Sequence, residues 1–201
     1  MMKNNKELYD QLRTTLKQWV DLPDAQWNEL AAIFHPKTVA KDDYLLHTGD
    51  EVYELYYVGE GLLRIYYLNE RGKESNKAFP AQGGFAGPLA TALLKMPSRY
   101  GIQALEDSVL LTTQYDDYFN LLDQHPLFDR LGRKILEWLL GRRELREQSL
   151  LQQSAKERYL DFIERYSSLL NRIPQYHIAS YLGITDVSLS RLRSELSSDG
   201  Y

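Results

Sequence analysis

The residues with the clearest chemical potential lie near the C-terminal end, in the stretch RIPQYHIASYLGITDVSLSRLRSEL at positions 172–196. Thr185, Asp186, Ser188, Ser190, Arg191 and Ser194 share a segment whose apolar residues, Leu189 and Leu192, point the other way at helical spacing. Short hydroxyls allow close approach to phosphates and base edges, and the Arg191 guanidinium can make a two-donor contact to guanine. Arg172 and Arg193 add cations suited to backbone phosphates. Asp186 is the discordant member: it repels phosphate unless it caps a helix or accepts a hydrogen bond from cytosine. A solvated Ser/Arg face on an ordinary helical hairpin is the plain structural alternative.

Other chemistries find few residues. The chain has no cysteine, so disulfides and cysteine-ligated zinc or iron–sulfur centres are excluded. Its four histidines, His35, His47, His125 and His177, are dispersed, with no His-x-His pair, nucleophile elbow or Walker loop. An enzyme is not expected, and neither is a resident cofactor.

The elements that must hold the Ser/Arg face follow from local signals. Pro174 suits the first turn of a helix, and Gly183 permits the left-handed backbone that ends it. Ile178, Ala179 and Leu182 are its inward residues, Ile184 plugs the bend, and Thr185 is a suitable N-cap for a second helix. Val187 or Ser188, with Leu189 and Leu192, would face inward from that second helix. This is the logic of a helix-turn-helix. Upstream, Ser154 and Glu157 form a capping-box pair before a helix over 155–170 whose apolar face is Tyr159, Phe162, Ile163 and Tyr166.

From Pro126 to about Gln152 the pattern is one long helix of roughly 25 residues, about 37 Å. Leu131, Ile135, Trp138, Leu139 and Leu145 form its stripe, read as a seam between two subunits; packing against the preceding domain is the alternative. Residues 37–112 change period. Short runs rich in strand formers, separated by turns such as Thr48-Gly49-Asp50 and Asn69-Glu70-Arg71-Gly72, predict about eight antiparallel strands. Residues 83–88 read as a loop, and 89–94 as one or two helical turns. Residues 6–34 read as helical, broken at Leu22-Pro23-Asp24, with a second short helix behind an Asp24 cap.

Charge divides along the same lines. The 201 residues carry a net charge of −4, but residues 1–129 sum to −7 and residues 130–201 to +3. An acidic front and a basic back fit a regulatory domain joined to an anion-binding one. No apolar run reaches the roughly 18 residues of a membrane span. The start, MMKNNKELYDQL, does not read as a signal peptide. The expected location is cytoplasmic.

At this point the sequence resembles the Crp–Fnr family of bacterial transcription regulators. The strand order ending in GEGLLRIYYLNERGKE, the return strand SRYGIQALEDS, the long helix, SAKERYLDFIERY and the terminal IPQYHIASYLGITDVSLSRLRSEL carry the resemblance. It implies an α+β chain: an N-terminal double-stranded, jelly-roll-like β-roll of cyclic-nucleotide-binding type over 1–125, a dimerisation helix and hinge over 126–153, and a helix-turn-helix over 154–201. The chain ends at Gly200-Tyr201, which leaves room for little or no wing. The implied partners are double-stranded DNA with a palindromic operator, a second copy of the chain, an unidentified small-molecule effector and RNA polymerase. The alternative is a ligand-binding or protein-interaction module that has lost specific DNA binding.

The resemblance also locates an effector pocket. In ligand-binding members, a Gly-Glu pair opens a short helix that cradles the cyclic phosphate, and a following Arg neutralises it. Here Gly87-Pro88-Leu89 stands at that opening, without the carboxylate that would hold the ribose. Ser98 falls where the phosphate Arg belongs, and Arg99 is one residue off, which in a strand sends a side chain to the other face. Arg143 and Glu144 replace the smaller residues expected near the purine. These departures argue against cyclic AMP as the effector. At the recognition helix, Asp186 and Val187 stand where the family often carries an Arg-Glu pair.

Overall fold

The structure, a computed structural model, describes residues 4–198. Two helices come first, α1 (Asn5–Lys17) and α2 (Asp24–Ala32). Leu8, Leu12 and Leu16 form the buried face of α1, as their spacing predicts. Trp19 and Val20 lie past its end, and the cap of α2 is Pro23, with Asp24 as the first helical residue. Proline fits here because its ring fixes φ near the value the chain needs on entering the helix.

Eight strands follow: β1 (His35–Val39), β2 (Tyr44–Leu46), β3 (Glu54–Glu60), β4 (Leu63–Leu68), β5 (Glu74–Ala78), β6 (Phe85–Ala86), β7 (Tyr100–Ala104) and β8 (Ser108–Gln114). They make two four-stranded antiparallel sheets, ordered β1-β8-β3-β6 and β2-β7-β4-β5. The loop expected at 83–88 contains β6, whose Phe85 and Ala86 pair with Tyr57 and Tyr56. A two-residue strand is too short to show alternation, so glycine and proline dominated the reading.

Alternation along the strands sorts side chains into two cores. Tyr56, Val58, Leu63, Ile65, Tyr100, Ile102 and Leu110 fill the space between the sheets. Tyr57 and Leu111, on the opposite face, pack under a helical layer built from α1, α2 and later helices. Gly59 lets α1 approach: a Cβ there would lie 1.8 Å from Leu8 Cδ1.

Between β6 and β7 lies α3 (Leu89–Leu94), and after β8 comes α4 (Tyr115–Leu122). The latter was not anticipated from sequence. Then α5 (Pro126–Gln152) runs 27 residues, about 40 Å. Phe128 and Leu131 are buried in the helical layer, whereas Leu136, Trp138, Leu139, Leu140, Leu145, Leu150 and Leu151 are exposed.

The C-terminal head contains α6 (Ala155–Arg165), α7 (Gln175–Leu182) and α8 (Asp186–Ser198). The Ser154–Glu157 capping box is present in both directions. The helix expected over 155–170 stops at Arg165 and continues as a 3-10 turn at Ser167–Leu169. Tyr159, Phe162, Ile178, Leu182, Leu189 and Leu196 form the head's core, and Leu62, Phe79 and Leu105 of the β domain complete it. Phe79 meets Phe162 and Tyr166 edge-on at 6.2 and 5.9 Å. The head is therefore docked on the β-roll. The expectation of a missing wing concerns residues beyond Ser198, outside the described residues.

Candidate DNA interface and effector pocket

The turn between α7 and α8 forms as the residue types predict. Gly183 adopts φ +71°, and its N–H bonds the Ser180 carbonyl at 3.2 Å. Thr185 Oγ1 accepts from the Ser188 N–H at 3.2 Å, which caps α8. Leu189 is buried at the crossing. Val187 is 62 % exposed and Ser188 is half-buried, so the serine takes the inward position.

The outer face of α8 carries Thr185, Asp186, Val187, Ser190, Arg191, Arg193 and Ser194, all exposed. Asp186 heads α8, where a carboxylate complements the helix dipole. Arg172 is placed elsewhere. Its guanidinium grips Glu106 of the β domain at 2.9 and 2.5 Å and the Gly61 carbonyl at 3.1 Å. The expected DNA contact from Arg172 is thus replaced by an ion pair that latches the head to the roll.

The underside of the head has its own attachment, which the sequence reading missed. Asn76 of β5, buried, donates through Nδ2 to the His177 carbonyl at 3.1 Å and lies 3.1 Å from His177 Nδ1. The Asn76 N–H donates to Ser180 Oγ at 3.0 Å, and Ser180 Oγ donates to the Glu74 carbonyl at 3.2 Å. Behind them Arg64, buried in β4, pairs with Glu74 and donates to Gln103 Oε1 at 2.7 Å. Burial, with the Arg64 charge, lowers the His177 pKa to about 4, so the ring is neutral near pH 7. The available signals were an arginine inside the apolar run Leu62–Leu68 and a histidine on the inward face of α7.

At the expected effector pocket, side chains of the roll bond and stack with one another. Tyr100 enters from β7, and its Oη donates to the Gly87 carbonyl at 2.7 Å, tying one sheet to the opening of α3. Tyr67 meets the Tyr100 ring edge-on at 6.0 Å, and Lys77 Nζ lies 4.3 Å from the ring centroid. Burial pushes the Tyr100 hydroxyl well above the usual tyrosine range, so it remains a donor. Gly87 is required by close approach: a Cβ would meet the Glu54 carbonyl oxygen at 2.8 Å and Tyr115 Oη at 2.9 Å.

Pro88 is buried and caps α3, and Leu89 opens that helix, half-buried. Ser98 is buried, but its hydroxyl is turned back onto the Tyr100 carbonyl at 2.8 Å. Arg99 is exposed, as are Arg143 and Glu144 on α5. At the expected cradle, Arg99 thus points to solvent, Ser98 brings no cation, and the Tyr100 hydroxyl is tied to the Gly87 carbonyl.

Of the expected seam residues, Trp138, Leu139 and Leu145 are exposed, Ile135 packs at the edge of the helical layer, and Leu131 is only 1 % exposed within it. Leu131 serves the intrachain core because the first turns of α5 cover the sheet. Among the described residues, no cluster of three or more His, Asp or Glu could hold a metal ion. No helix among them is long and apolar enough to cross a membrane.

The described residues thus form a double-sheeted roll, one long helix and a helix-turn-helix head. Residues 36–125 match the cyclic nucleotide-binding domain. The chain is 26 % identical to the anaerobic regulatory protein of Aggregatibacter actinomycetemcomitans over 78 % of its own length and 64 % of that protein. It is 27 % identical to the fumarate and nitrate reduction regulatory protein of Yersinia pestis over 78 % of itself and 66 % of that relative. It thus spans just under two thirds of each. A transcriptional regulator of the crp/fnr family from Eubacterium rectale superposes with a TM-score of 0.71, at 18 % identity, covering 93 % of this chain and 89 % of that one. The chain is thus similar to regulators of the Crp–Fnr type in sequence, and shares their fold. These relatives are named as regulators, not as enzymes.

Proposed function

We propose that the chain is a dimeric, sequence-specific DNA-binding transcription regulator whose effector pocket is not adapted to cyclic AMP. The observation that carries the reading is the exposed face of α8, with Arg191, Ser190 and Ser194 exposed while Leu189 and Leu196 anchor the helix from below. Such a helix can enter a major groove, its hydroxyls and Arg191 reading base edges. The exposed leucines of α5 (Leu136, Leu139, Leu140, Leu150 and Leu151) support a seam with a second copy. A dimer would present two recognition helices to half-sites about 34 Å apart. In this reading residues 1–125 sense, 126–153 pair, and 154–201 read DNA.

Against cyclic AMP stand the Tyr100 hydroxyl bound to the Gly87 carbonyl, the Ser98 hydroxyl spent on the Tyr100 carbonyl and the outward Arg99. The deciding experiment is a fluorescence-anisotropy titration with DNA from upstream of the protein's own gene against scrambled DNA, with and without cyclic AMP, at two salt concentrations. Selective binding unchanged by the nucleotide is expected. Selectivity appearing only with cyclic AMP would overturn the pocket reading. Absence of selectivity in every arm would move weight to an interaction module, which the exposed carboxylate of Asp186 at the head of α8 favours.

A further inference from the structure

The cavity that stands out lies away from both sites, where the end of α5 meets α6 and α7. It has a volume of about 330 Å³ and is open to solvent on one side. Three guanidiniums line it, Arg146, Arg158 and Arg165, over the rings of Phe162 and Tyr181.

Part of this arrangement is structural. Arg146 lies flat on Tyr181, 3.9 Å from the ring centroid, and donates to the Tyr181 carbonyl. Arg158 donates through Nε to the Leu182 carbonyl at 3.0 Å and through Nη1 to the Gln153 carbonyl at 2.6 Å. Both therefore satisfy carbonyls at the end of α7, where a cation also complements the helix dipole.

Capping does not use up the cluster. A guanidinium has five N–H donors in a fixed fork. Arg146 engages a protein acceptor with one of its groups and Arg158 with two. Arg165 stacks on Tyr166 at 5.3 Å. None of the three forms an ion pair with another described residue. The one carboxylate in the lining, Asp161, already accepts from Gln153 Nε2 at 2.7 Å. Burial, with the neighbouring Arg158 charge, holds the Arg146 guanidinium below the usual arginine value. Three partly desolvated cations beside a single carboxylate leave an excess of positive charge in the lining, which is costly until an anion joins them.

We propose that this hinge cavity binds a small multivalent oxyanion, phosphate- or carboxylate-bearing, through Arg146, Arg158 and Arg165. Its volume sits at the compact end of ligand pockets, which suits a small anion. Two-donor contacts from guanidiniums recognise both oxyanion types. Arg146 comes from the long helix and Arg158 from α6, and both hold the end of α7. An anion bridging them would bias the angle between head and long helix. That regulatory consequence rests on the reading of the chain as a DNA-binding regulator; the binding itself does not.

The test is isothermal titration of the full chain, without DNA, with inorganic pyrophosphate and with citrate. One saturable equivalent per chain is expected for at least one of them, and which one responds identifies the source as phosphate or carboxylate. Arg146→Gln and Arg165→Gln should each weaken it about tenfold or more. Arg165 makes no hydrogen bond to a described residue that its loss would break, so Arg165→Gln decides the matter if Arg146→Gln unfolds the head. No saturable heat from either probe, or heat that Arg165→Gln leaves unchanged, overturns the site. Because DNA is absent, failure here leaves the DNA-binding reading standing, and failure of DNA binding leaves this site standing.

Discussion

The face of α8 and the pocket of the β-roll treat polar side chains in opposite ways. On α8, Ser190 and Arg191 stand in water with a packed helix behind them. In the roll, Tyr100 and Ser98 spend their hydrogen bonds on backbone carbonyls, Gly87 and Tyr100 respectively. The difference is one of solvent. An exposed face can wait for a partner because water satisfies it, whereas a cavity inside a close-packed roll is filled by ligand, by ordered water or by side chains. The outward face of α8 thus stays open, while in the roll Tyr100 is tied to the Gly87 carbonyl.

The strongest way to break the contrast is Tyr100→Ala. The ring is nearly buried and carries the Gly87 contact, so its loss should cost about 3–5 kcal/mol in urea denaturation. A loss within about 0.5 kcal/mol would mean that the ring does not fill the roll. Arg191→Ala should cost about 1–3 kcal/mol of specific DNA binding by anisotropy. It should leave the thermal midpoint almost unchanged, because the side chain is exposed.

A third prediction concerns the joint between the regions. His177 is held neutral, its pKa lowered from 6.5 to about 4. The unfolded chain takes up a proton at this position below about pH 6.5, and the folded chain does so only near 4. Stability should therefore fall as pH drops through that window and level off near its lower end. The difference between wild type and His177→Gln in denaturation midpoints at pH 5 and pH 7 measures this, and a histidine contribution of opposite sign would contradict the assignment. The smallest effect is expected from Asp186→Asn. Removing the exposed carboxylate should raise affinity for scrambled DNA about two- to threefold at low salt, the gain fading as salt screens it.

Legibility followed locality. The helix-turn-helix was readable because Gly183, Thr185 and the Ser154–Glu157 pair are short-range signals, each of which the structure forms, while Pro174 stands one residue earlier than expected, as the cap before α7. Most strands were readable from runs of Tyr, Leu and Ile; the reading failed at Phe85-Ala86, too short to alternate, and at the polar start of β5, Glu74-Ser75-Asn76. The α4 helix was missed because YDDYFNLL follows a strand without a break in composition. What sequence could not give is pairing across distance. Asn76 meets His177 across 101 residues, and Arg172 meets Glu106 across 66. Arg172 shows the cost of reading charge alone: its basic side chain suggested phosphate, and the fold had already given it a carboxylate. At the pocket, the substitutions at Pro88 and Ser98 were visible, but the tie from Tyr100 to the Gly87 carbonyl was not, since a tyrosine in a strand looks like ordinary core.

The Ser180 hydroxyl has a consequence beyond holding the head. β5 is the outermost strand of its sheet, with β4 on only one side. The Asn76 N–H and the Glu74 carbonyl on its free side are the groups that Ser180 occupies. An uncovered strand edge is a template for pairing with another chain. The helical head thus covers this edge, and a movement that lifted α7 from the roll would bare it. The extent to which this chain can open is bounded by its own solubility.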